Sequence, residues 1–126
     1  MTLGNLAFGK AAEDLAVEYL KTQGYKILER NFKNKFGEID IIAQQVDVIC
    51  FVEVKARHSG DFGVPQEAVS ICKQRQICRV AVSYLKRYKL LEHSARFDVL
   101  AFLYVNNQPK VSLITNAFEL TANLTI

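Results

Sequence analysis

Cysteine is scarce and poorly spaced for covalent work. There are three, Cys50, Cys72 and Cys78, an odd number with no CxxC pair, which argues against a disulfide framework. Each sits in an apolar pattern and reads as a reduced, mostly buried thiol. Histidine is equally short, with only His58 and His93, so a zinc site is poorly supplied. Proline occurs only at positions 65 and 109, and no repeat or Ser/Gly-rich stretch divides the 126 residues. They read as one domain, residues 1–126. No apolar run approaches the roughly 20 residues needed to cross a bilayer. Met1–Lys10 lacks a basic region followed by an apolar core, so no secretory signal is expected. The expectation is a soluble, cytoplasmic protein with no membrane partner.

Hydrophobic residues make up 50% and charged residues 23% of the chain, close to the globular average, so disorder is not expected. The net charge of +3 is modest, but its distribution is uneven. Between Glu67 and Glu92 stand Lys73, Arg75, Arg79, Lys86, Arg87 and Lys89, with no anion among them. Such a local basic surface suits a polyanion such as nucleic acid, although a solvated helix face has the same composition.

Periodicity supplies the elements. Residues Asn5 to Gln23 form an amphipathic helix, with Phe8, Ala12, Leu15, Ala16, Tyr19 and Leu20 on one side and Gly24 as its stop. Glu13 lies at the border of the apolar stripe. A strand over Tyr25–Phe32, a turn at Asn34–Gly37, and two runs, Glu38–Ala43 and Val48–Ala56, describe a meander whose last two strands form a hairpin. Pro65 fits the first turn of a second helix running to about Tyr88, with Ala68, Ile71, Cys72, Cys78, Ala81, Val82 and Leu85 facing the core. Strands Arg96–Val105 and Lys110–Ile114 follow, joined by a turn at Asn106–Pro109. The order αβββαββ predicts an α/β fold with a helix on either side of one mixed sheet.

The chemistry concentrates in Gly37-Glu38-Ile39-Asp40-Ile41-Ile42 and Phe51-Val52-Glu53-Val54-Lys55. Side chains alternate across a strand, so Glu53 and Lys55 point the same way. With Ala43 placed opposite Val48, Asp40 falls opposite Phe51 and diagonal to Glu53. Glu38, Asp40, Glu53 and Lys55 then share one face, while Ile39, Ile41, Val52 and Val54 share the other. Two carboxylates so close repel unless protonated or neutralised. Lys55 offsets one charge and a divalent cation would offset the rest. The donors are hard oxygens, which favours Mg²⁺ or Mn²⁺, and the carbonyl of Val54 is a further candidate. Lys55 stands where it could orient a water or stabilise charge growing on a phosphate. The bland counterpart is a solvent-facing hairpin with a Glu53–Lys55 ion pair.

Asp40 followed by Glu53-Val54-Lys55 resembles the PD-(D/E)xK nuclease signature, with Ile39 in place of the signature proline. The match to one subfamily is closer and runs over nearly the whole chain. Its carriers include Ala12-Glu13-Asp14-Leu15-Ala16, Gly24-Tyr25, Gly37-Glu38-Ile39-Asp40, Phe51–Lys55 with Arg57, Lys73, Arg96-Phe97-Asp98-Val99 and Asn116-Ala117-Phe118. On these the chain is similar to the YraN-like family of mostly uncharacterised bacterial proteins, whose endonuclease-like fold resembles archaeal Holliday-junction resolvases. The family usually has Gly where this chain has Ala12.

The resemblance implies a restriction-endonuclease-like αβββαβ core. It implies a metal-dependent nuclease hydrolysing phosphodiester bonds in DNA, branched or damaged DNA being the candidate substrates. Asp40 and Glu53 would hold Mg²⁺ or Mn²⁺, Lys55 would act at the water, and Glu13 would complete the catalytic set from the first helix. Arg57, Lys73 and Arg75 are the candidate nucleic-acid contacts, and His58 reads as a loop residue. Resolvase-like relatives act as dimers, so a homodimer is a further expectation. Arg96 and Asp98 read as a structural ion pair. The alternative is a non-catalytic nucleic-acid-binding or scaffold protein that retains the fold, with a protein-interaction module as a third reading.

Overall fold

Tyr25 closes the first helix by returning its backbone N–H to Leu20 at 3.0 Å, one residue after Gly24 takes φ +87. That left-handed exit is open to glycine without cost. It turns the chain directly into the sheet. The computed structural model describes residues 2–58 and 69–119, with side chains placed for 9–57 and 69–119. Its elements are α1 (Thr2–Thr22), β1 (Lys26–Asn34), β2 (Gly37–Gln45), β3 (Val48–His58), α2 (Ile71–Arg87), β4 (Ser94–Val105) and β5 (Gln108–Phe118).

The five strands lie in sequence order, β1-β2-β3-β4-β5. β3 and β4 pair in parallel from Val48–Ser94 to His58–Tyr104, across the connection that contains α2. All other pairings are antiparallel, so the sheet is mixed. The helices pack on opposite faces. Ala12, Ala16, Val17 and Leu20 of α1 meet Tyr25, Ile41, Ala43, Cys50, Val52, Leu100 and Phe102. On the other face Ile77, Cys78, Val80, Ala81, Tyr84 and Leu85 of α2 meet Ile39, Ile42, Ile49, Phe51, Phe97 and Val99. Order, helix placement and mixed sheet match a restriction-endonuclease-like αβββαβ core with one added strand. Among the described residues, no helix is long and apolar enough to cross a membrane.

Several expectations are corrected. The second helix begins at Ile71, because Ser70 caps it by accepting the Lys73 N–H at 3.2 Å. Pro65 and Ala68 lie outside the described residues. Ile71 and Cys72 are exposed, since the buried stripe starts only at Ile77. Cys50 and Cys78 are buried as expected. Leu15 is exposed and Val17 takes its place in the core. The last strand runs on to Phe118, bending at Asn116 with φ +53, where its pairing with β4 shifts. The hairpin register differs by two residues: Gln45 faces Val48 and Ala43 faces Cys50. A shift of two preserves which face a side chain takes, whereas a shift of one would not.

Candidate active site

The β2–β3 ladder runs from Gln45–Val48 to Ile41–Val52 and goes no further. One residue beyond it stands Asp40. On the other side of β2, Asn31 takes φ +51 between the Arg30–Ile41 and Phe32–Ile39 pairs. Strand alternation breaks at this point. Ile39 joins the core under α2, whereas Ile41 joins the core under α1. The expectation that Ile39 and Ile41 share a face is therefore wrong: β2 loses strict alternation at Asp40, where its pairing with β3 ends.

Where the two backbones part, a side chain bridges them. Asp40 Oδ2 accepts the Val54 N–H at 2.9 Å. The carboxylate replaces a ladder carbonyl and satisfies an amide of the central strand. It also stands within hydrogen-bonding reach of the Glu53 carboxyl. Glu53 is only 3% exposed, and its neighbours Phe51 and Val52 fix its direction: Phe51 packs under α2 and Val52 under α1, so Glu53 points toward α2. Glu53 Oε1 is buried with no hydrogen-bond partner, alone in this among the described side chains.

Burial is the largest influence on Glu53, followed by the hydrogen bond and the negative charge of Asp40. Together they push its carboxyl up to about 9, against the opposing charges of Lys73 and Lys55. A carboxyl held this far above its usual range stays protonated at neutral pH unless a cation arrives. Lys73 from the first turn of α2 approaches closest, with Nζ 3.7 Å from Glu53 Oε1. At that separation the contact is Coulombic rather than a hydrogen bond. Lys55 is half-buried on the same face of β3, two residues from Glu53.

Gly37 is a precondition for this arrangement. Its φ is +144, and a Cβ there would lie 2.7 Å from the Gln76 side chain. A side chain there would displace Gln76 and would also have to take a φ that only glycine adopts freely. Glu38, one residue on, faces outward and pairs with Lys33 at 3.7 Å, so it stands apart from the two carboxylates with which it was grouped.

The remaining predicted residues divide. Glu13 is half-buried at the border of α1, as read from the helical wheel, but no hydrogen bond or ion pair joins it to Asp40 or Glu53. Arg57 is half-buried on β3 opposite Leu103. Arg75 is exposed on α2. Lys73 meets an acid as well as facing solvent. Arg96 and Asp98 do form an ion pair, Nε to Oδ1 at 3.0 Å.

The Asp40 and Glu53 carboxylates, with the orphaned Glu53 Oε1 among their four oxygens, form a donor set of hard oxygens, and Lys55 adds a positive charge beside it. That set fits a divalent cation such as Mg²⁺ or Mn²⁺, with Asp40 and Glu53 as its protein ligands. No group of three or more His, Cys, Asp or Glu side chains converges among the described residues. A cation here would complete its shell with backbone carbonyls and solvent, as Mg²⁺ commonly does.

Fold and site together define an α/β protein with an endonuclease-like core and a paired-carboxylate centre on its middle strands. Residues 12–102 match the model of the uncharacterised protein family UPF0102. The chain is 48% identical over 120 residues to a UPF0102 protein of Geobacter metallireducens, covering 95% of this chain and 98% of that one. It is 47% identical over 116 residues to one of Syntrophus aciditrophicus, covering 92% and 91%. A Clostridium kluyveri relative is 42% identical over 118 residues, covering 92% and 97%. The chain belongs to the UPF0102, or YraN-like, family.

Proposed function

We propose that this protein is a metal-dependent nuclease that hydrolyses phosphodiester bonds in DNA. The observation that carries this reading is the buried, unbonded Glu53 Oε1 beside Asp40. A buried acceptor without a partner costs free energy, and a cation at that oxygen removes the cost. Mg²⁺ or Mn²⁺ held there supplies charge neutralisation and Lewis acidity toward a phosphodiester.

The chain's own residues do the rest. Asp40 bridges β2 and β3 through the Val54 amide, and its carboxylate would hold the cation. Glu53 would hold the cation in its ionised form, its proton passing to solvent. Lys55, on the same face, offers an ammonium to the attacking water and to charge building on the phosphate. Lys73, with Nζ 3.7 Å from Glu53 Oε1, would offer its ammonium to a phosphate oxygen at the centre. Glu13, half-buried at the rim of α1, belongs to this reading as the further carboxylate of the catalytic set. Arg57 and Arg75 offer cations to flanking phosphates. Branched or damaged DNA, and action as a homodimer, belong to this reading as well.

The test is cleavage of linear and branched DNA with Mg²⁺ or Mn²⁺ by the wild type and by Glu53→Ala. The expected result is cleavage that needs the metal and disappears in the variant. Identical behaviour of the two proteins would remove the catalytic claim.

One observation favours a second reading. The 3.7 Å Lys73–Glu53 contact already places a cation at the buried carboxyl, which suits a DNA-binding scaffold that dispenses with metal. That reading expects salt-dependent binding that persists in a chelator and survives Lys55→Ala.

A further inference from the structure

The β1–β2 turn and the start of α2 enclose a groove that the paired-carboxylate centre does not use. Phe36, at the tip of the turn, lines it together with Lys73, Arg75, Gln76 and Arg79, and its volume is about 610 Å³. That size falls within the roughly 300–1,000 Å³ ordinary for a ligand site. Asn34 Oδ1 accepts the Phe36 N–H at 2.9 Å, which fixes the turn and the ring it carries. Phe36 is half-buried against the core under α2, so the ring is held rather than free to rotate away.

The groove is cationic on its open side. Arg75 and Arg79 stand one helical turn apart on the same face of α2, both exposed. Neither forms an ion pair among the described residues. Lys35 is not part of the lining; its ammonium lies 5.2 Å from the centre of the Phe36 ring. Lys73 links the groove to the centre, since it lines the one and lies 3.7 Å from Glu53 in the other. A shallower recess formed with Gly37 and Glu38 shares Lys73 and Gln76 and continues toward β2.

An aromatic surface recessed between cations addresses two parts of one nucleotide. Bases stack on aromatic rings whatever their sequence, while the cations follow the phosphates. A paired duplex keeps its bases turned inward and offers only its backbone, so it cannot reach a recessed ring. We infer that this groove seats an unpaired nucleotide next to the paired-carboxylate centre, its base against Phe36 and its phosphate between Arg75 and Arg79. The substrate class is thus DNA with a single-stranded segment. This deepens the nuclease reading and rests on it for the direction of the strand, but not for the binding itself.

The test is fluorescence anisotropy in a chelator, which removes hydrolysis. The probes are a labelled single-stranded oligothymidylate and a blunt duplex of equal length. The wild type should prefer the single strand. Phe36→Leu, which keeps an apolar side chain against the core, should weaken single-strand binding about tenfold or more, in line with loss of one base–aromatic stack, and leave duplex binding unchanged. The Arg75→Ala/Arg79→Ala double variant touches only exposed side chains. It should lower the slope of log affinity against log salt by about 0.7, the value for one single-strand phosphate. Equal affinity for both probes, or wild-type binding by both variants, overturns the groove, and metal-dependent cleavage by the wild type would then still uphold the nuclease reading. The predicted binding pattern together with cleavage indifferent to Glu53→Ala upholds the groove and removes the hydrolytic reading.

Discussion

Asp40 accepts the Val54 N–H at 2.9 Å at the point where β2 stops pairing with β3. The same carboxylate is therefore a strand-bridging acceptor and a candidate metal ligand, and the two roles respond differently to substitution. Asp40→Ala leaves a half-buried amide of the central strand without its acceptor, which should destabilise the fold by about 1–3 kcal/mol. Asp40→Asn keeps an oxygen acceptor, so its unfolding midpoint in urea should stay nearer to wild type. Both variants should lose Mn²⁺ binding. Paired urea titrations and Mn²⁺ titrations separate the roles, and an Asp40→Ala protein as stable as wild type would contradict the bridging one.

Glu53 gives the fold a characteristic response to pH. Its folded-state carboxyl is raised from the ordinary 4.5 to about 9, chiefly by burial. A group raised on folding contributes stability that is complete below the unfolded value and is lost as pH rises through the folded value. Stability should therefore fall from about pH 4.5 toward pH 9 in the absence of metal. Glu53→Gln cannot ionise and should flatten this dependence, making the variant more stable than wild type at pH 8. Mg²⁺ or Mn²⁺ at pH 8 should restore the wild type alone, because a ligand that binds the native state stabilises it. Thermal unfolding across the pH range, with and without metal, measures all three effects.

Much of this architecture was legible in the residue pattern because it rests on periodicity. The α1 stripe at Ala12, Ala16 and Leu20 and the alternation through Cys50–Val54 both place burial correctly. The meeting of Asp40 with Glu53 was also legible, since an even shift in register cannot change faces. What escaped notice depends on single residues with unusual backbone or on contacts distant in sequence. Ile39 and Ile41 take opposite faces where the β2–β3 ladder ends, and no period-2 reading contains that event. The Ser70 cap sets the start of α2 at Ile71, because the capping hydroxyl decides where the first turn begins. The groove at Phe36 exists only when the β1–β2 turn packs against α2. Its one local signal was the four-residue spacing of Arg75 and Arg79.

Asp98 is a second buried acid, but one fully provided with partners. It is 0% exposed. Its oxygens accept Arg96 Nε at 3.0 Å, the Tyr25 hydroxyl at 3.4 Å and the Asn116 N–H at 2.9 Å. Arg96 extends the network to the Tyr25 oxygen and to Gln45 Oε1. This network ties the α1–β1 link, β2, β4 and the bend in β5 together. Asp98→Ala strands the guanidinium and should cost about 3–5 kcal/mol. Replacing both partners, as in Asp98→Leu with Arg96→Met, should recover much of that loss, since no unpaired charge then remains. Urea midpoints of the single and double variants test the coupling, and additive losses would show that the pair acts independently.

Val46 occupies a position that its side chain disfavours. It takes φ +54 in the two-residue turn between β2 and β3 and is 84% exposed. A β-branched residue is strained in the left-handed region by roughly 1–2 kcal/mol, and its exposed side chain supplies no packing in return. The Val46 carbonyl accepts from Gln44 Nε2 at 2.9 Å, and a backbone acceptor survives any substitution. Val46→Asn and Val46→Gly should therefore stabilise the protein, Asn by about 1 kcal/mol and Gly by slightly less, because glycine loses more chain freedom on folding. Because the turn sets the register that brings Asp40 to Glu53, its relief should leave Mn²⁺ affinity unchanged while the urea midpoint rises. A fall in the midpoint would show that the valine contributes something its exposure conceals.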